Sequence, residues 1–205
     1  MARDIDGNIQ RSRRYWYDDG LVEIAVGVIF LAVGTLFLTE AFRLIPPGVS
    51  AIALPVIVIA GGWLARLAVR AAKNRLTYSR TGYVRYPRRT SSRRRLVVAV
   101  AAAAAMAALV TVLALLTPGS LAWLPVIDGA LVGLFFLYMA YSVGMVRFYL
   151  LALLSAVAGA TTSLSGLGDS TGSGVYFAAT GAAVIVSGAI VLAVYLRNTQ
   201  PPEDE

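Results

Sequence analysis

Arg75, Arg80, Arg85, Arg88, Arg89, Arg93, Arg94 and Arg95 fall within one short stretch, and no acid occurs anywhere from Ala41 to Ile127. Guanidinium groups at this density suit one kind of chemistry, paired hydrogen bonds to phosphate or carboxylate oxygens. Counted from Arg66 to Arg95, the window holds eleven of the chain's 18 Lys and Arg residues. Tyr78, Tyr83 and Tyr86 are interleaved and would add cation–π contacts or settle among headgroups. The expected ligands are anionic membrane lipid, at about 1 kcal/mol per cation near the surface, or the acidic surface of a protein partner. Nucleic-acid phosphates would also match the charge, but no nucleic-acid-binding module accompanies the tract, which disfavours that class. Phosphorylation of Ser79, Thr81, Thr90, Ser91 or Ser92 would oppose the same contacts.

Acids are scarce outside the tails: Glu23, Glu40, Asp128 and Asp169. Glu23 shares a helical face with Gly27 and Gly34, which places it against a packed neighbour, either in a structural ion pair or as a proton or cation site. Asp128, in Pro125-Val126-Ile127-Asp128-Gly129, is expected to help cap a helix starting near Pro125, with a functional intramembrane acid as the alternative. Glu23 and Asp128 are thus the candidates for an intramembrane polar site. Glu40 and Arg43 read as a wet surface pair of little energetic weight.

Other chemistry lacks its residues. The chain has no Cys and no His, so thiolate catalysis, disulfides and the usual neutral-pH general base are absent. No phosphate-binding loop or hydrolase signature occurs, and the Gly-rich Ser165–Asp169 stretch lacks a preceding strand. The expectation is a non-enzymatic protein needing no cofactor and no metal.

The elements that must position these residues are membrane helices. Hydrophobic residues make up 58% of the 205 and charged residues only 14%, and the mean hydropathy is +0.72. Charge-free runs of about twenty residues recur, the length that crosses roughly 30 Å of hydrocarbon. The predicted fold is all-α and polytopic, with six transmembrane helices paired as three hairpins. The spans are Leu21–Thr39, Val49–Val69, Leu96–Leu116, Val126–Val146, Tyr149–Leu164 and Val175–Leu196, with Pro55 and Pro125 interrupting the second and fourth. Pro46-Pro47-Gly48, Thr117-Pro118-Gly119-Ser120 and the polar run Ser163–Gly174 separate the helices within each hairpin. Five spans is the alternative count.

The organisation is then a cytoplasmic segment over 1–20, helices one and two over 21–72, a basic loop over 73–95, four helices over 96–196 and an acidic tail over 197–205. Residues 1–20 lack the apolar centre of a signal peptide. Within the loop, Arg75–Tyr78 and Tyr83–Tyr86 read as two short strands around a turn.

Loop cations set the orientation, because Lys and Arg are retained on the cytoplasmic side. With both termini inside a cell membrane, every cation but Arg43 is cytoplasmic. Tyr15-Trp16-Tyr17 and Trp123 would anchor at headgroup level. Gly174, Gly181 and Gly188 recur every seven residues, Gly27 and Gly34 repeat that spacing, and Gly129 and Gly133 lie four apart. Such stripes let helix backbones approach closely, within the chain or across a homo-oligomer. The rival function is a small transporter, or a transporter's substrate-binding subunit, with a cavity lined by Asp128, Trp123 or Glu23. An intramembrane enzyme would need two scarce acids to converge.

Overall fold

The computed structural model describes residues 17–77, 123–167 and 169–199. Five helices lie within them: α1 (Leu21–Ala41), α2 (Pro47–Ala72), α3 (Leu124–Val143), α4 (Val146–Leu164) and α5 (Asp169–Asn198). All five are long and apolar enough to cross a membrane. The expected span Leu96–Leu116 and the loop from Tyr78 onward lie outside the described residues.

Local chemistry explains the boundaries. Gly20 precedes α1 at φ 68° and Gly144 follows α3 at φ 73°, left-handed values that side chains with a Cβ resist. Gly144 and Met145 alone join α3 to α4, a two-residue connection as the spans predicted, placed three residues earlier in the chain. Neither proline interrupts a helix as expected. Pro125 lies in the first turn of α3, where its missing N–H is harmless. Pro55 lies inside a continuous α2, a position that membrane helices tolerate better than soluble ones.

No strand occurs among the described residues. Arg75-Leu76-Thr77, expected to open a hairpin, instead belong to a π-helical turn, Lys73–Thr77, that prolongs α2. The Lys73 side chain explains the continuation: it is buried against Asp19, which holds this turn to the bundle. The rest of the predicted hairpin falls outside the described residues.

Two glycine-lined seams organise the packing. Along α1–α5, Gly20 lies opposite Gly188, Gly27 opposite Gly181 and Gly34 opposite Gly174. A Cβ added at Gly27 would sit 2.7 Å from the Gly181 carbonyl oxygen, and one at Gly34 would sit 2.9 Å from that of Gly174. The heptad repeat of one helix therefore meets the heptad repeat of the other in strict antiparallel register. Along α3–α4, Gly129 meets Gly159 and Ser155, while Gly133 faces Ala152. These stripes lie in seams within one chain.

Helix α5 joins the two pairs. Phe136 of α3, Phe148 and Leu151 of α4 and Val184 of α5 share one buried core, with Phe136 and Phe148 stacked at 6.4 Å. Helix α2 sits at the edge, packed on α1, and exposes Ile52, Ile59, Trp63 and Leu64. The α1–α2 groove is lined by aliphatic and small side chains such as Ile24, Val28, Ile57 and Ala68, and encloses about 410 Å³.

Candidate functional site

The basal end of the bundle, where α1 begins and α2 ends, gathers its acids into charge pairs. Asp19 and Lys73 form an ion pair whose side chains are 1% and 2% exposed. Asp19 also accepts the Leu21 N–H at 3.3 Å, tying the pair to the first turn of α1. One turn on, the Glu23 carboxylate meets Nε of Arg147 at 2.8 Å and accepts from the Ser187 hydroxyl at 3.0 Å. Arg147 also donates to the Tyr17 carbonyl. Two charge pairs fasten α1 to α2 and α4 here, and the Ser187 hydroxyl ties α5 to the same Glu23.

Glu23 is thus the expected structural ion pair on the Gly27 and Gly34 face, with Arg147 rather than a basic-loop arginine as its partner. Tyr17 was expected at headgroup level. It is half-buried with its ring edge-on to Phe148 at 5.9 Å, and its carbonyl accepts from Arg147. Lys73 and Arg147 read in sequence as cations that fix orientation, and the structure uses both internally.

The distal end is held differently. Asp128 was expected to help cap its helix, but it lies in the second turn of α3 and no side chain caps from within that helix. The cap comes from α4, where Ser163 Oγ accepts the Val126 N–H at 3.2 Å. Asp128 faces α5 and accepts from Ser173 at 3.4 Å. Beneath it, Tyr176 reaches the Asp128 carbonyl at 3.3 Å and shares a 2.8 Å hydrogen bond with Ser155, whose hydroxyl lies 3.1 Å from the Gly129 carbonyl. Tyr176 and Ser155 are fully buried. This cluster of hydroxyls was missed in the sequence, where Ser155, Ser173 and Tyr176 look like ordinary helix residues. Their recurrence on the α4 and α5 faces opposite the Pro125–Gly129 turn was the available signal.

The two clusters do not meet. Glu23 is level with Ser187 and Asp128 with Ser173, fourteen residues apart along α5, or about 21 Å at 1.5 Å per residue. Trp123 is 57% exposed at the distal start of α3, so the three residues proposed to line one cavity do not share one. Glu40 lies near Ser170, 3.4 Å away. Arg75 is exposed in the π-helical turn. Arg80, Arg85, Arg88, Arg89, Arg93, Arg94 and Arg95 lie outside the described residues. Among the described residues no group of three or more His, Cys, Asp and Glu side chains is placed to hold a metal ion. No family model matches the chain, and no characterised protein or solved structure is significantly similar to it.

Proposed function

We propose that the chain is a non-enzymatic, six-span protein of a cell membrane, with both termini cytoplasmic and an arginine-rich inner face that engages anionic lipid or an acidic protein partner. The observation that carries this reading is where the cations sit. Arg66, Arg70 and Arg197 are exposed toward the basal end, whereas Arg43 lies at the distal end. Buried Lys73 and the half-buried Arg147 are engaged by Asp19 and Glu23. On this reading the arginines from Arg80 to Arg95 add to that end, and the charge there goes beyond what orientation needs.

Helix directions support the sixth span. The glycine pairs make α1 and α5 antiparallel, and Gly61 against Ile29 together with Lys73 against Asp19 makes α2 antiparallel to α1. Gly129 against Gly159 makes α3 and α4 antiparallel, and Asp128 against Ser173 with Pro125 against Gly172 makes α3 parallel to α5. Helices α2 and α3 consequently run the same way. On this reading the chain, leaving α2 at the basal end and entering α3 at the distal end, crosses between them. Leu96–Leu116 is the apolar stretch available for that crossing.

Two measurements test the reading. The absence of native Cys allows single-cysteine labelling: Arg43→Cys and Leu167→Cys should react with an impermeant maleimide on intact cells, and Thr199→Cys only after permeabilisation. The opposite pattern removes the orientation. Replacing Arg88, Arg89, Arg93, Arg94 and Arg95 together with Gln should lower the phosphatidylglycerol retained through gentle purification, with helix content unchanged. Unaltered lipid retention removes the lipid contact.

A further inference from the structure

Asp19 and Glu23 each face a cation from another helix; Asp128 does not. Its carboxylate forms no ion pair among the described residues, and its one side-chain hydrogen bond is the 3.4 Å contact with Ser173. The charged residue of α4 is Arg147, at the other end of the bundle, and the titratable group of α5 beside Asp128 is Tyr176. The oxygen atoms gathered here come from one carboxylate, the Ser173, Tyr176 and Ser155 hydroxyls, and the Asp128 and Gly129 carbonyls. One turn further along α5, the buried Thr180 hydroxyl faces the Tyr176 hydroxyl.

A carboxylate packed among helices with no counter-charge among the described residues is costly, and in membrane proteins such acids commonly mark ion or proton sites. An all-oxygen donor set of net charge −1 matches a small hard cation. We propose that Asp128, backed by Ser173, Tyr176 and Ser155, is a reversible binding site for a small monovalent cation, either a proton or a sodium ion. Asp128 is half-buried some four residues inside α3, about 6 Å from the helix start, so a cation reaches it from the distal end without unfolding the bundle. The buried Tyr176–Ser155 pair keeps the far side of the site closed. The proposal does not depend on lipid binding at the basal end, and each can fail without the other.

Dicyclohexylcarbodiimide, which attacks protonated carboxyl groups in apolar surroundings, supplies the test on the full chain in phosphatidylcholine vesicles. Modified peptides are located by mass spectrometry. The Asp128 peptide should be labelled. In the proton arm, its labelling rate should fall about tenfold per pH unit once the carboxyl is mostly ionised, with no difference between sodium and potassium. In the sodium arm, sodium at fixed pH should protect the peptide several-fold and potassium should not. Glu23, held by Arg147, should label several-fold more slowly than Asp128. Absence of label on Asp128, or labelling no faster than that of Glu23 and insensitive to both pH and sodium, overturns the site. Asp128→Asn should abolish label at this peptide alone; should that variant not fold, the wild-type pH and sodium series decides by itself.

Discussion

Along the α1–α5 seam, glycines face one another at three successive levels, and at its basal end the same helix α1 is tied by two charge pairs, Asp19–Lys73 and Glu23–Arg147, to α2 and α4. Along α3–α4 the close approach is concentrated near the distal end, around Gly129 and Gly159, and the polar contacts there are hydroxyl to hydroxyl and hydroxyl to carbonyl. Both seams hold helices without help from a hydrophobic drive, since lipid is as apolar as leucine. They differ in what a single lost group leaves behind. Removing one member of a charge pair strands an unmatched charge, whereas removing a hydroxyl leaves a weaker contact or a small void. The charged seam should therefore be brittle and the hydroxyl seam forgiving.

The largest expected effect follows from that difference. Lys73→Met removes the buried cation that faces Asp19, and should destabilise the bundle by about 3–5 kcal/mol. Adding Asp19→Asn should recover much of the loss, because Asn keeps an acceptor for the Leu21 N–H while removing the stranded charge. Reversible unfolding by dodecyl sulfate in mixed micelles, followed by circular dichroism, measures both. Equal stability of the single and double variants would break the contrast.

Next in size is Gly27→Ala. The new Cβ would lie 2.7 Å from the Gly181 carbonyl oxygen and 2.9 Å from the Ile185 nitrogen, both backbone atoms that cannot rotate away. Helix α1 must then move off α5, and overpacking of this kind costs about 1–3 kcal/mol. The same titration tests it. Smaller still is Asp128→Asn, expected to shift stability by less than about 1 kcal/mol, because no buried cation depends on it and an amide keeps a bond to Ser173. A loss as large as that of Lys73→Met would mean Asp128 has a charged partner and would end the distinction between the two ends.

Some of this was legible in the sequence and some could not be. Helix positions follow from runs of apolar residues, so Leu21, Val143 and Leu164 mark real helix ends to within a few residues. The Gly174, Gly181, Gly188 repeat announced a close seam because small residues at that spacing have few other uses. Its partner stripe was readable only as Gly27 and Gly34; Gly20, outside the apolar run, completes the match and escaped notice. Lys73 and Arg147 were misread for a physical reason. A cation next to an apolar run looks the same whether it points to headgroups or folds back to an acid, and sequence spacing says nothing about pairs 54 or 124 positions apart. The hydroxyl cluster was hidden for a related reason. Ser and Thr in a membrane helix commonly satisfy themselves on their own backbone, as Thr35 and Thr161 do here, and a Tyr reads as an ordinary aromatic, so their presence alone marks no site.

The smallest expected effect sharpens the contrast from the other side. At Gly133 a Cβ would come 3.2 Å from the Ala152 carbonyl oxygen and meet nothing else within contact range. A shift of a few tenths of an ångström relieves that approach. Ala also favours helix over Gly by about 1 kcal/mol, which offsets the strain, so Gly133→Ala should leave stability within about 0.5 kcal/mol of wild type. The same substitution at Gly27 meets two backbone atoms at closer range with the same propensity gain. Any difference between Gly27→Ala and Gly133→Ala therefore reports how closely each seam is packed, free of the intrinsic preference of the residue. If Gly133→Ala proved the more damaging, the tight seam would be α3–α4, and the brittleness assigned to α1–α5 would rest on its charges alone.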